Sequence, residues 1–326
     1  MPGRIVVRVL SAAVLLAAAL AQSVSISQAE PWPQRTVKFI VPLGPGSGVD
    51  VTARVLATKL SARWGKPVVV ENRPGGDAFV AIGAFAGAHD DHTLLFTPAS
   101  AFTAHPFLYE KLPYDPQDLV PIARVTVTIA GVGVTSSLKA RTLPDLVALA
   151  RAEPGKLNWA GITGALDFMF AGFLKVADID INKVPYRDGV QALNDLAEGR
   201  IHVYLTAHAI IRPQIEAGKV TLVALANHER APSLPDVQTA QEAGYPSLTF
   251  DGLVGLFGPR EMSQETRDQV SADVQAVASD PEVVAQLERN SQFVRPGSAK
   301  EFAETIDQQR AQIAAAARIL GVKPNK

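Results

Sequence analysis

Short apolar runs alternate with helical patterns near the start of the sequence, and this alternation limits the possible folds more than any other feature. β-branched and apolar residues predict strands at Thr36–Val41, Val68–Val70 and Thr93–Phe96. Between them, the apolar spacing predicts a helix that opens at Asp50 and an alanine-rich helix that runs to about Ala88. A β-α-β-α-β order needs parallel strands joined by right-handed crossovers, so the sequence predicts an α/β fold.

The same alternation returns after a proline-rich stretch at Pro106–Pro121, which predicts a surface connection. Amphipathic helices follow Pro259, with Ser263 and Ser298 as N-caps and Glu301 completing a capping box. A chain of 326 residues exceeds one ordinary core, so two lobes are predicted. The strands predicted in the second pattern are Val125–Val134, Leu157–Ala160, Lys183–Tyr186, Ile201–Thr206 and Val220–Ala226, and its helices are Leu143–Ala152, Ala165–Lys175, Val190–Glu198 and Ile210–Ala217.

Residues 1–29 have the pattern of a secretory signal peptide. Arg4 and Arg8 form a short positive region, and the run Val9–Ala21 is apolar. Small residues at the −3 and −1 positions predict cleavage after Ala29. The pattern therefore predicts an exported protein.

Two alternatives to this cleavage remain open. Ala19–Ala21 offers a competing cleavage site. The segment could also be a transmembrane anchor, but its apolar run is shorter than the ~20 residues that a spanning helix needs.

The composition excludes several classes of function. The chain has no cysteine, which removes disulfides, thiolate metal sites, cysteine nucleophiles and a lipoprotein anchor. Its 31 basic and 32 acidic residues nearly balance, whereas a nucleic-acid-binding protein normally carries a basic face.

A glycine-rich turn, Gly44–Asp50, lies between the first predicted strand and helix. Backbone N–H groups at a helix N-terminus favour anions, although a plain tight turn is an equal alternative. The turn lacks the GK[ST] ending of a P-loop, and its glycine spacing departs from GxGxxG. Asp50 is predicted to cap the helix that follows it rather than to act as a catalytic acid, and Asp77 can cap the alanine-rich helix.

Short polar loops follow several other predicted strands. They are Thr97–Ser100, Thr163–Ala165, Tyr186–Gly189 and Thr206–His208. Because open α/β sheets bind ligands beyond the carboxyl ends of their strands, these loops predict two sheet edges that face one cleft.

No catalytic residue, metal site or cofactor is predicted. His89–His92 contains metal-ligand residue types, but it precedes a strand at its amino end, so a solvated turn is the preferred interpretation. The nucleophile motif GxSxG is absent, and no Ser-His-Asp arrangement is readable.

Several segments resemble, in order along the chain, the Bug or tripartite tricarboxylate transporter (TctC-like) substrate-binding proteins. The matching segments are Val41–Asp50, Val68–Gly75, Lys111–Asp115, Pro154–Asn158, Val184–Gly189, Ala217–Lys219 and Arg230–Gly244. They span nearly the whole predicted mature chain.

The resemblance implies a type II periplasmic-binding-protein fold, with two Rossmann-like lobes, a ligand cleft and two crossovers. It implies a first lobe of residues 30–126 plus 253–326 and a second lobe of residues 127–252. It also implies a small organic acid bound by loop amides, hydroxyls and water. Carried over by position, the ligand-binding residues are Leu43, Ser47, Gly48, Thr97, Ala99, Ser100, Thr163, Gly164, Ala165, Tyr186, Thr206 and His208.

This sequence departs from the family pattern in its second-lobe loop. The usual polar residues around Thr163 are largely replaced, and Asp167 would repel a carboxylate at close range. Ser47 stands where a glycine is usual. A less acidic, aromatic or amide-containing ligand is therefore an alternative.

The resulting hypothesis is a monomeric, non-enzymatic periplasmic receptor. It would close around an organic acid and deliver it to the membrane subunits of a tripartite tricarboxylate transporter. A sensor subunit for a signalling kinase and an exported enzyme are the alternative functions.

Overall fold

The computed structural model describes residues 32–162, 164–186 and 188–323, and the predicted signal peptide lies outside these ranges. All the elements below belong to the compact unit Arg35–Lys326. The strands are β1 Val37–Val41, β2 Val68–Asn72, β3 Thr93–Pro98, β4 Val120–Thr128, β5 Ala130–Thr135, β6 Asn158–Gly161, β7 Asn182–Pro185, β8 Val203–Ala207, β9 Val220–Leu225, β10 Gly252–Gly258 and β11 Gln292–Gly297. The helices are α1 Gly48–Trp64, α2 Phe79–Ala86, α3 Ser100–Thr103, α4 His105–Leu108, α5 Leu143–Ala152, α6 Ala165–Ala177, α7 Gly189–Ala197, α8 His208–Glu216, α9 Gln264–Ala278, α10 Pro281–Arg289 and α11 Ala299–Leu320.

The strands form two sheets. The first has the order β11-β4-β10-β3-β1-β2, and β1 runs parallel to both β2 and β3. The second has the order β7-β6-β8-β5-β9, and β6 runs parallel to β7 and β8. The predicted parallel β-α-β-α-β unit is thus confirmed.

The chain changes sheets twice, between β4 and β5 and again between β9 and β10. The prediction of one strand over Val125–Val134 is wrong, because this run divides at the buried Ile129 between the two sheets. The Asn227 amide fills the gap: its Oδ1 accepts from the Ala130 N–H at 2.9 Å, and its Nδ2 donates to the Thr128 carbonyl at 3.0 Å. The side chain thereby bonds one backbone group on each side of the division.

Each sheet has its own apolar core, and α11 packs against elements of both. In the first core, Phe85, Phe257 and Phe302 are almost fully buried. In the second, Trp159 packs against Phe170 with ring centroids 4.9 Å apart. The C-terminal helix α11 contacts both β4 and α6, and so joins the two halves.

The helix ends follow from local sequence. Ser263 and Ser298 cap α9 and α11 as predicted, and Glu301 completes a capping box. No helix in the described part of the chain is both long and apolar enough to cross a membrane.

Candidate functional site

A cavity of about 390 Å³ is lined by residues that follow strands of both sheets. Loops that follow β1, β2 and β3 form one wall, and the start of α6, which follows β6, forms the other. All four are parallel strands that present their carboxyl ends, which is where open α/β sheets bind ligands. The lining residues are Pro42, Leu43, Gly44, Pro74, Gly75, Asp77, Ala78, Pro98, Ser100, Ala101, Ala104, Leu108, Gly164 and Ala165.

The structure brings some of the predicted ligand-binding residues together. Leu43, Ser100, Gly164 and Ala165 line the cavity. The lining does not include Ser47, Gly48, Thr97, Ala99, Tyr186, Thr206 or His208. Thr163 lies outside the described residues.

The glycine-rich turn satisfies its own amides. Ser47, not Asp50, is the N-cap of α1, and its hydroxyl accepts from the Asp50 N–H at 3.2 Å. The Asp50 carboxylate accepts from the Gly46 N–H at 2.9 Å and from Asn72 Nδ2 at 2.8 Å. Burial alone would raise the pKa of Asp50, but hydrogen bonds from Arg54, Asn72 and Gly46 outweigh it and lower the pKa. The Gly46 amide is therefore already used inside the protein.

Four of the remaining predicted residues have structural contacts of their own. Thr97 is fully buried, and the Ala99 N–H donates to the Leu253 carbonyl at 2.8 Å. The Tyr186 hydroxyl donates to Asp195 Oδ2 at 2.6 Å. The His208 N–H donates to the Ile129 carbonyl at 2.7 Å, and burial lowers the pKa of its ring.

Asp77 lines the cavity, although its position in the sequence predicts a helix cap. The prediction that it caps the alanine-rich helix is wrong, because α2 begins at Phe79 with Ala78 at the N-cap and no side-chain cap. Asp77 and Ala78 have φ values of 51° and 71°, directly after Gly75 and Gly76, whose φ values are also positive. A left-handed backbone costs a residue other than glycine roughly 1–2 kcal/mol. Such strain is typical of functional sites.

A buried histidine fixes this strained segment. His105 Nε2 lies 3.0 Å from the Asp77 carbonyl oxygen, which can only accept, so this nitrogen carries the proton. His105 Nδ1 lies 2.8 Å from the Tyr114 hydroxyl. The Tyr109 hydroxyl donates to Asp77 Oδ2 at 3.0 Å, and burial together with the Asp77 charge raises the pKa of Tyr109 to about 12. At neutral pH Tyr109 therefore remains a donor to the carboxylate.

Asp167, which the sequence suggested would repel a carboxylate, is paired with a cation. Lys183 Nζ lies 2.7 Å from Asp167 Oδ2. A side chain at Gly161 would meet Lys183 Cε at 2.1 Å, so glycine is what allows the lysine to cross to Asp167. Burial raises the pKa of Asp167, and Lys183 opposes that rise. The pair offsets the negative charge that would otherwise stand near the start of α6.

The sequence of this chain matches a known family over most of its length. Residues 52–321 match the sequence profile of TctC, described as the tripartite tricarboxylate transporter family receptor. The chain belongs to this family. TctC proteins are substrate-binding receptors rather than enzymes, so the predicted family and the predicted non-enzymatic function are confirmed.

Individual relatives agree with this family assignment. This chain is 30% identical to protein BugT of Bordetella pertussis over 237 residues, which are 71% of this chain and 73% of BugT. It is 29% identical over 284 residues to a UPF0065 protein of Pseudomonas sp. strain P51, covering 85% of this chain and 84% of that protein. A protein of R. palustris solved with adipate has a TM-score of 0.79 and 26% identity, over 90% of this chain and 99% of that one. The predicted periplasmic-binding-protein fold is confirmed.

The histidine–aspartate cluster before β3 forms a turn with its own bonds. Candidate ligand atoms of Asp90, Asp91 and His92 lie within 4.8 Å of one another. Asp90 accepts from the His92 N–H at 2.9 Å and forms an ion pair with Arg35, and His92 Nδ1 lies 2.6 Å from Asp91. The cluster is at the amino end of β3, away from the cavity edge of the receptor.

A second, polar cavity of about 190 Å³ lies beside the connections between the sheets. His228 Nδ1 is 3.0 Å from Asp251 Oδ2 in its wall, where Arg124, Glu229 and Arg295 also lie. The hydrogen bond that the His228 ring donates to Asp251 raises the pKa of His228, although burial opposes the rise. Burial alone would raise the pKa of Asp251, but His228 and neighbouring amides hold that pKa below its ordinary value.

We expect the replacement His228→Asn to destabilise the receptor in a pH-dependent way. A raised folded-state pKa of His228 stabilises the fold fully below its unfolded pKa of ~6.5, and that stabilisation is lost as the pH rises through the folded-state pKa. The lowered pKa of Asp251 contributes above ~3.9 and is lost as the pH falls further. The melting temperature should therefore fall more at about pH 5.5 than at about pH 9. His89→Asn, at an exposed histidine, is the control, and an equal loss at both pH values would contradict the prediction.

Proposed function

We propose that this protein is a periplasmic receptor that captures a small organic acid in the cavity between its two sheets. The observation that carries the proposal is the cavity itself, which needs loops from both sheets to form its walls. A ligand held there contacts both walls at once and therefore favours the closed arrangement over an open one.

The carboxylate group would bind at the start of α6. This helix of 13 residues has Gly164 at its N-cap, no side chain of the described residues caps it, and Gly164 and Ala165 line the cavity. The helix dipole favours an anion at this end. Among the described lining residues no lysine, arginine or histidine is present, so backbone dipoles and the Ser100 hydroxyl supply the recognition.

Two further observations support an organic acid. Lys183 compensates the charge of Asp167, which would otherwise oppose an anion at the α6 start. The adipate-bound R. palustris protein, at 26% identity over 90% of this chain, takes a small carboxylate in the same fold.

We also propose a lobe division, a mature form and a membrane partner for this receptor. The two sheets would belong to lobes of residues 30–126 plus 253–326 and 127–252, which close as rigid bodies about the two connections. The mature monomer would follow cleavage near Ala29, and its closed form would dock on the membrane subunits of a tripartite tricarboxylate transporter. N-terminal sequencing of the exported protein reads the cleavage site directly.

Thermal unfolding against a panel of carboxylates tests the proposal. A ligand present at 100 times its Kd stabilises the folded state by about 2.7 kcal/mol, so we expect a rise of several degrees in melting temperature for at least one acid. The panel covers monocarboxylates, dicarboxylates including adipate, aromatic acids and aminocarboxylates, each at millimolar concentration. If none of them shifts the melting temperature, the receptor is not one for small organic acids.

A further inference from the structure

We propose that Asp77 makes this receptor selective for a ligand that carries a protonated amine as well as a carboxylate. The inference rests on the proposed function, because it names the class of acid that the same cavity takes. Asp77 is the only charged side chain among the described residues that line the cavity. A ligand of a carboxylate receptor with a fixed negative charge in its wall either carries a positive group that pairs with this charge or is repelled by it.

The geometry leaves one carboxylate oxygen of Asp77 available. The Tyr109 hydroxyl donates to Oδ2, and the nearest ring nitrogen, His105 Nε2, lies 3.5 Å from Oδ2 and 3.0 Å from the backbone carbonyl. Oδ1 has no hydrogen-bond partner among the described residues. The Asp77 side chain is 31% exposed, so a ligand atom can reach it.

The backbone around Asp77 is strained and held in place by specific contacts. Four successive residues, Gly75 to Ala78, have positive φ, and two of them are not glycine. His105 bonds the Asp77 carbonyl and packs its ring 4.5 Å from Phe79, and this contact keeps the segment in place. Strain of this kind is retained where a side chain must point to a particular place.

The two walls of the cavity therefore have opposite polarity. The uncapped start of α6 favours a negative group, and Asp77 on the loop after β2 favours a positive one. A dicarboxylate would set its second carboxylate against Asp77 without a cation in the described lining. An aminocarboxylate satisfies both walls, and its ammonium donates to Oδ1 in a charge-assisted hydrogen bond.

Matched ligand pairs measure this selectivity in the wild-type receptor. Adipate and 5-aminopentanoate differ only in the exchange of one carboxylate for an ammonium, as do glutarate and 4-aminobutanoate. Pentanoate, which lacks both groups at that end, separates charge from size. We expect calorimetric titration to give aminocarboxylates at least about tenfold lower Kd values than the matched dicarboxylates. A wild-type preference for dicarboxylates overturns the inference without the use of any variant.

The replacement Asp77→Asn then assigns the preference to this residue. Asparagine tolerates a left-handed backbone and keeps an acceptor for Tyr109, so the fold is preserved. We expect the aminocarboxylate preference to fall to within about twofold of parity, and dicarboxylate affinity to rise. Glu110→Gln removes an exposed acid elsewhere and controls for net charge.

The outcomes separate the two proposals. Binding of dicarboxylates and aminocarboxylates that Asp77→Asn leaves unchanged overturns the role of Asp77 and keeps the carboxylate receptor. Absence of binding by any carboxylate, with or without an amine, overturns both.

Discussion

Replacement of Gly44 by phenylalanine is expected to abolish carboxylate binding without unfolding the receptor. Gly44 lines the cavity, and a Cβ built on it meets no atom within 4 Å. Its φ lies outside the left-handed region, so a larger residue brings no backbone strain. The benzyl group would occupy the space that the ligand needs, and we expect Kd to rise at least about a hundredfold. The free energy of unfolding should change by no more than about 0.5 kcal/mol.

A matched variant shows whether the loss is local. Gly83→Phe makes the same change on the exposed side of α2, where a Cβ also meets nothing within 4 Å. Calorimetric titration and thermal unfolding of both variants separate binding from stability. If Gly44→Phe keeps the wild-type affinity, the ligand lies outside this cavity.

The architecture was largely readable from the sequence because parallel sheets have a strong signature. Strands such as Val68–Asn72 begin with a short run of β-branched residues, and helices such as Leu143–Ala152 have clear apolar spacing. The division at Ile129 was not readable. The run Val125–Val134 contains no proline or charged residue to mark a break, and the partner that satisfies its backbone, Asn227, is distant in sequence.

The candidate site was readable only at the level of loops. The rule that ligands bind beyond parallel strand ends points to the loops after β1, β3 and β6, and these loops line the cavity. It does not tell which side chains face inward. Asp77 has the residue type and position of a helix cap, and only the left-handed backbone of Asp77 and Ala78 turns it to the cavity.

Pairings distant in sequence also changed the electrostatic picture. Asp167 taken alone predicts repulsion of an anion, but Lys183 crosses from the neighbouring strand to pair with it. Gly161 leaves the space for Lys183 to reach Asp167, and the local sequence around Gly161 does not predict this contact. Short-range patterns therefore identified the fold, whereas the charge of the site depends on contacts between strands.

The second large effect concerns Asn227, where we expect Asn227→Ala to lower the free energy of unfolding by about 3 kcal/mol. The Asn227 side chain is almost fully buried, and it bonds the Ala130 N–H, the Thr128 carbonyl and Asp251 Oδ1. Alanine removes all three bonds and supplies none. A buried backbone group without a partner costs about 1–3 kcal/mol, and two such groups would be left.

Urea denaturation measures this loss, with Asn182→Ala as the control because Asn182 is exposed and its side chain makes one bond, to the Gly155 carbonyl. The control should lose no more than about 1 kcal/mol.

Asn227 also differs from Asn182 in its position in the fold. Its side-chain amide links the first connection between the sheets, at Thr128 and Ala130, to the second connection, at Asp251. In the proposed closure the lobes turn about these connections, so Asn227→Ala should also weaken ligand binding although the residue does not line the cavity. A loss below about 1 kcal/mol would mean that water replaces the amide, and that the connections are held by the sheets alone.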